Sequence, residues 1–472
     1  MKKLLLIAAM LLGILQMWGT TDGVTYPEVN GIKIANQWIK ARLHAANEFN
    51  QLPFFNNSPN YARTAVLQGD EIYVSHSNVK VAIVGSDTLA QCVVYKLSAS
   101  DCSVVAELPL TLDGAPYVGA APLGSNNIGK DNFGHIYVAP YTSEAATTQA
   151  IYLLNTVTGE LSLVAQLEKG DVLARTDYID VIGDLTREQA ECNIMSVGAS
   201  VATIYRWHAD QNGDFEGGFE GDTYMDITTF YPETVLQWGY GPVVKMCMGT
   251  DEETMYSGEL FYVDGFSSAP ILYDVTGSMV DSFDGVPEEL LPWSLGANGV
   301  VEFHVNDHNY VAYAMAQYEG MNEATGNMLA CQVNICELGE DMTLAGMTKC
   351  WMVPDVMGTT SDSGSRLQCM SVDYEKDADG NDVVNLLVYK CSNGIALYKI
   401  GVNVGGAEPV GVPGDVNGDG LVSIADANAV ISIILNGADS VDAETLARAD
   451  VNGDGLVTIA DANAVISIIL NG

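Results

Sequence analysis

Asp415, Asn417 and Asp419 place three side-chain oxygens on alternate residues, and Gly420, Leu421, Ser423 and Asp426 complete a twelve-residue pattern. With Asp415 as position 1, the acids and the amide occupy positions 1, 3, 5 and 12, and the Ser423 hydroxyl occupies position 9. Gly420 allows the sharp turn at position 6, and Leu421 offers its backbone carbonyl at position 7. Oxygens converging at that spacing suit a hard cation of calcium's size. The set recurs as Asp450, Asn452, Asp454, Leu456, Thr458 and Asp461, with Gly455 at the turn. Two such loops predict two Ca2+ ions. The alternative, a pair of Asn/Gly turns with solvated acids, does not explain a repeat spaced from Asp415 to Asp450.

Each loop runs into "ADANAVISIIL", a helix that the last ligand begins. At about 100° per residue, Ile424, Val430, Ile431, Ile433, Ile434 and Leu435 cover roughly 200°, wider than the ~100° stripe that one neighbour can bury. The surplus predicts an interaction surface. The doubled loop and helix opened by "DVNGDG" closely resembles a dockerin, a calcium-dependent module that plugs into a cohesin. The resemblance spans residues 414–472 and implies a cohesin-like partner. In that family hydroxyl residues are usual at loop positions 10 and 11, where this chain has Ile424 and Ala425, then Ile459 and Ala460. Further along, where a basic pair is common, stand Ile431 and Ser432, then Ile466 and Ser467. These eight are the predicted partner-binding residues.

Elsewhere the chemistry-bearing patterns are fragmentary. "TSDSGS" (360–365) matches the start of an Asp-box turn, but Arg366 and Leu367 replace the Thr-Trp that should follow. "DQNGDFEGGFEGD" (210–222) and "DADGND" (377–382) begin like calcium loops and lack their second halves, so both read as acidic hairpin turns. His304 and His308 flank a turn at Asn306 and Asp307 rather than sharing a helix face, so they do not read as a zinc pair. Tyr224, Phe230, Tyr231, Trp238 and Tyr240 offer a platform for sugar rings, with packing between strands as the plainer role. No nucleophile elbow, zinc-protease motif or phosphate loop occurs, and the catalytic residues stay unknown.

The elements that must carry these residues are mostly β. From about 61 to 400, short alternating or apolar runs are bounded by Gly, Asp, Asn and Ser. "GDEIYVSH" (69–76) and "FGHIYVAPY" (133–141) read as equivalent strands, followed by hairpins at 92–108 and 150–167 that both end in V-A-x-L. Echoes follow at 203–217, 271–283, 333–351 and 393–400. Six echoes predict a mainly β fold, a β-propeller of about six blades with seven as the alternative. A β-sandwich array is the second reading. The strand "NQWIKARLHA" (36–45) is placed to close the ring against the last blade. The region resembles, in general terms, propellers of unknown function in secreted bacterial proteins.

Composition bounds the setting. Sixty Asp and Glu against 20 Lys and Arg give a net charge of −40, which repels nucleic acid and anionic membranes. Lys2 and Lys3 followed by "LLLIAAMLLGIL" read as a secretory signal cleaved within about 19–24. No later run approaches the length of a transmembrane helix. Nine scattered Cys fit neither a disulfide scaffold nor a zinc site and read as small buried apolar residues, although Cys331 and Cys336 could lie close. The expected organisation is a signal peptide (1–23), a propeller-like domain (24–400), a Gly/Pro-rich linker (401–413) and the dockerin-like domain (414–472). Three functions fit. The body is a non-catalytic recognition module for a glycan, or a carbohydrate-active hydrolase or lyase of the kind dockerins carry, or a structural component of a surface assembly.

Overall fold

The computed structural model describes residues 26–42, 48–55, 61–84, 87–119, 123–199, 201–226, 238, 241–249, 254–265, 268–292, 299–315, 332–339, 341–353, 357, 368–404, 416, 422–437, 441, 443–449, 451 and 456–471. The predicted signal peptide, Asp-box start and Cys331 lie outside these residues. Two compact units result, one from Tyr26 to Val404 and one from Gly405 to Gly472.

The first unit is a six-bladed β-propeller built from six sheets, antiparallel throughout except where Thr111–Leu112 joins Glu160–Glu168 in parallel. Blade 1 holds Ala65–Gln68, Glu71–Val84, Asp87–Ser98 and Val104–Pro109. Blade 2 holds Asn127–Lys130, Ile136–Ala139, Thr148–Leu154 and Glu160–Glu168, extended by Thr111–Leu112 and Ala115–Pro116. Blade 3 runs through Thr176–Gly183, Cys192–Gly198 and Thr203–Ala209, whose outer edge pairs with Glu216–Gly217 and Tyr224–Asp226. Blade 4 is Val243–Met246, Leu260–Gly265, Ser268–Asp274 and Met279–Asp281. Blade 5 is Val300–Val305, His308–Ala314, Val333–Glu337 and Thr348–Val353. Blade 6 takes Gln368–Lys376, Asp382–Lys390 and Gly394–Gly401, and its outer strand is Lys33–Ala41, paired antiparallel to Gly394–Gly401. The early strand therefore closes the ring, as its position in the sequence predicts.

The "IYV" runs show why these segments are apolar without clean alternation. Ile72 and Val74 pack toward blade 6 while Tyr73 packs toward blade 2. One blade on, Ile136 and Val138 face blade 1 while Tyr137 faces blade 3. A strand buried on both faces needs no polar side. Six clusters of this kind join each blade to the next around the circle. Cys92, Cys192 and Cys336 sit in them as small apolar residues. Val404 packs on Ala35 and Val383, so the body continues a little beyond residue 400.

The second unit contains helices α1 (Ile424–Asn436), α2 (Ala443–Ala449) and α3 (Ile459–Asn471). Helices α1 and α3 pack on each other, and Val416, Ala427, Val430, Ile433, Ala449, Ala462 and Val465 form the core.

Candidate functional site

In the tail the hydroxyl at loop position 9 and the acid at position 12 are three residues apart, the spacing of a helix N-cap and the third residue of its first turn. Both copies use it. Ser423 Oγ accepts from the Ala425 amide at 3.1 Å, and Asp426 Oδ2 accepts from the Ser423 amide at 2.8 Å and its hydroxyl at 3.2 Å. In the second copy Thr458 Oγ1 accepts from the Ala460 amide at 3.2 Å, and Asp461 Oδ2 accepts from the Thr458 amide at 2.8 Å and its hydroxyl at 3.3 Å.

Asp426 and Asp461 are fully buried. Burying a carboxylate is costly unless hydrogen bonds or a cation compensate it. An all-oxygen donor set with two such acids fits calcium. Leu456 is exposed at the edge of its loop. Asp415, Asn417, Asp419, Leu421, Asp450, Asn452 and Asp454 lie outside the described residues.

The helices divide their apolar residues between two faces. Ala427, Val430 and Ile433 turn into the core, as do Ala462 and Val465. Ile424, Ala425, Ile431 and Ser432 on α1, and Ile459, Ala460, Ile466 and Ser467 on α3, are all exposed. Ile424 is 65% exposed and Ile459 63%, large values for isoleucine at the start of a helix.

In the body, the first strands of blades 5, 6, 1, 2, 3 and 4 touch in that succession and so line the axis. Side chains join the blades around that axis at several points. Arg63, just before blade 1, reaches Asp177 of blade 3 at 3.4 Å and Asn126 of blade 2 at 3.2 Å. Arg175 grips the same carboxylate through two bonds of 2.8 and 2.6 Å while lying over the Tyr141 ring. Tyr178, Val243 and Cys369, from blades 3, 4 and 6, pack together. Lys130 of blade 2 meets Asp373 of blade 6 at 2.6 Å, and Lys245 meets Asp180 at 2.6 Å. Burial lowers the Lys130 pKa, opposed by Asp373.

Two other acids are pushed up by burial. Asp264, which accepts from the Gly299 amide at 2.8 Å, rises to about 8. Glu302 rises as well, while accepting from the Tyr262 hydroxyl at 2.5 Å.

The remaining sequence candidates resolve as follows. Asp377 accepts from the Asp379 and Asn381 amides at 2.9 and 2.8 Å, a self-contained acidic turn. Asp210 opens the blade 3 turn and approaches His208 Nε2 at 3.1 Å. His304 stacks on Tyr374, whereas His308 Nδ1 contacts Glu337 at 2.6 Å, so the two imidazoles serve different partners. Trp238 is fully buried, which removes it from the aromatic platform, and Tyr224 is half-buried against the core between blades 2 and 3. Phe230, Tyr231 and Tyr240 lie outside the described residues.

Sequence reasoning missed a cluster of Asp131, His135 and Asp184. Asp131 accepts from the Phe133, His135 and Leu185 amides, and Asp184 from the Thr186 and Gln189 amides. Carboxylates so supplied with backbone donors tie loops together rather than await a metal. The Asp-x-x-x-His spacing of 131 and 135 was the available signal.

Comparison places the tail in a known class. Residues 413–470 match the family model of the dockerin type I domain, a class of module that binds calcium. Among solved structures, the chain is similar to a DUF4623 family protein from Bacteroides eggerthii DSM 20697, with a TM-score of 0.51 and 12% identity over 80% of this chain and 76% of that one. It is also similar to an α-L-arabinofuranosidase from Fusarium graminearum, with a TM-score of 0.38 and 8% identity over 80% of this chain and 98% of that one. A periplasmic gluconolactonase from Pseudomonas aeruginosa gives a TM-score of 0.32 and 11% identity over 72% of this chain and 85% of that one. The first likeness shows a shared fold. No curated protein matches the chain. Among the described residues no helix is long and apolar enough to cross a membrane.

Proposed function

We propose that the chain is an exported protein whose C-terminal module, loaded with two calcium ions, docks onto a cohesin-type partner and so tethers a non-catalytic recognition propeller. The ligands are Asp415, Asn417, Asp419, Leu421, Ser423 and Asp426 in the first loop, and Asp450, Asn452, Asp454, Leu456, Thr458 and Asp461 in the second. The carrying observation is the pair of identical helix starts, each with a buried acid behind a hydroxyl cap, inside the segment that matches the dockerin type I model. Bound calcium neutralises the charge that each loop gathers, and the chain's own ligands close the loop around it.

The non-catalytic reading of the body is supported at the axis. Sugar hydrolysis commonly needs two cooperating carboxyl groups facing one pocket. The described acids joined around the axis, Asp177, Asp180 and Asp373, are each held by Arg or Lys. A glycan is the ligand class that we assign to the recognition role, with residues 24–400 as the recognising domain and 401–413 as its linker.

Hydrogen exchange on the full chain tests the tail. Calcium is expected to protect residues 414–472, and Asp415→Ala with Asp450→Ala to remove that protection. Equal exchange in calcium and in chelator would defeat the calcium reading. For the body, a panel of polysaccharides and host glycans is scored for retention and for new reducing ends. Retention without release is expected, whereas new reducing ends would make the protein an enzyme.

A further inference from the structure

Helices α1 and α3 carry one charged residue each, Asp426 and Asp461, and both are buried. Every described exposed position on the two helices is therefore uncharged, in a chain of net charge −40. At about 100° per residue, Ile424, Ile431 and Leu435 fall within roughly 40° of one another on α1, away from the buried Ala427, Val430 and Ile433. Leu435 is 78% exposed. Ile459 and Ile466 repeat the stripe on α3. Isolated exposed aliphatics need no explanation, but an aligned and duplicated set does.

Three occupants could cover it. A membrane surface favours helices with a basic polar face. These have no Lys or Arg. A second copy of the chain would bring two bodies of charge −40 together. An uncharged patch on a different protein meets neither obstacle.

Resting on the docking reading above, we infer that the tail's partner is a cohesin-type domain whose docking face is apolar and uncharged at its centre, gripped by the isoleucine stripe. Specificity then comes from excluding partners whose faces place charges against the stripe, since those charges would be desolvated without a counter-ion. Charges outside the contact alter the association rate, while the contact itself sets dissociation.

The test uses the full calcium-loaded chain against immobilised cohesin domains, some with apolar and some with charged docking faces. Capture by the apolar group is expected. Its dissociation rate should change less than about threefold between 0.1 and 1 M NaCl, because screening acts on charges. Replacing Ile424, Ile431, Ile459 and Ile466 together by Gln, a good helix former, should accelerate dissociation at least about 100-fold. Hydrogen exchange verifies that the variant keeps its helices in calcium.

Calcium-dependent capture only by charged faces, or dissociation strongly accelerated by salt, would overturn the inference and leave the docking reading standing. Absence of calcium-dependent capture by any cohesin would remove both. Self-association in sedimentation, or adsorption to lipid vesicles, if abolished by the same four substitutions, would give the stripe to another occupant and overturn the inference.

Discussion

A carboxylate three residues behind a hydroxyl serves two purposes in the tail, because the geometry that caps a helix is also the geometry that closes a cation loop. The hydroxyl serves both as well, as cap and as the proposed ligand at position 9. Ser423→Ala or Thr458→Ala should cost about 1 kcal/mol of helix stability each, read as lost amide protection at the helix starts. Asp264 offers a second single-residue test. Its folded pKa of about 8 stands above the ordinary aspartate value of 3.8, so the folded state binds its proton more tightly. The stability this contributes is full below about pH 4 and is lost as pH rises through 8. Asp264→Asn should remove that decline and exceed the natural chain by about 1–3 kcal/mol at pH 8.5, measured by urea unfolding at pH 5 and 8.5. A variant that tracks the natural chain at both pH values would contradict the assignment.

At the scale of elements, the braces around the axis make a sharper claim than the blades. Lys130→Met leaves Asp373, in a partly buried site, with the Gly69 amide as its hydrogen-bond donor and should cost about 2 kcal/mol. Lys130→Met with Asp373→Asn should recover most of it, and a double-mutant cycle in thermal unfolding checks the coupling. These braces were illegible in the sequence, since Arg63, Asn126 and Asp177, or Lys130 and Asp373, lie far apart in the chain and share no local spacing. The first strands were equally obscure. "NIGK" (Asn127–Lys130) is short, and its polar ends answer to the axis rather than to a period of two. By contrast, all six echoes are or contain third strands, and five continue into the fourth. They were legible because packing on two neighbouring blades imposes the same aromatic and aliphatic sizes six times. The tail was legible because ligand spacing is local. Its exposed isoleucines were foreseeable as surplus arc and, at Ile424, Ile431, Ile459 and Ile466, from the dockerin resemblance, and the packing of α1 against α3 leaves these four outside.

For the whole molecule, ring closure is the vulnerable step. Ile34, Ile39 and Ala41 belong to the core between blades 5 and 6, Trp38 to the core between blades 6 and 1, and the Trp38 indole donates to the Ala99 carbonyl at 2.6 Å. A chain lacking residues 26–41 leaves the edge of Gly394–Gly401 unpaired and opens two interblade cores. It is expected to be insoluble, or to melt well below the natural chain in a thermal scan, while a cut in the 405–413 segment should leave the melting of the body unchanged. Equal melting of the chain lacking 26–41 would refute the closure argument.

The pairing of Lys33 with Gly401 also orders events in time. A ribosome makes the closing strand among the first residues of the body and its partner among the last. The nascent chain must therefore keep an aliphatic strand from pairing wrongly while five blades are made behind it, and the circle becomes complete only when the final strand emerges. Such distant pairing makes folding slow, and it makes every premature stop before Gly401 an open ring with two exposed edges.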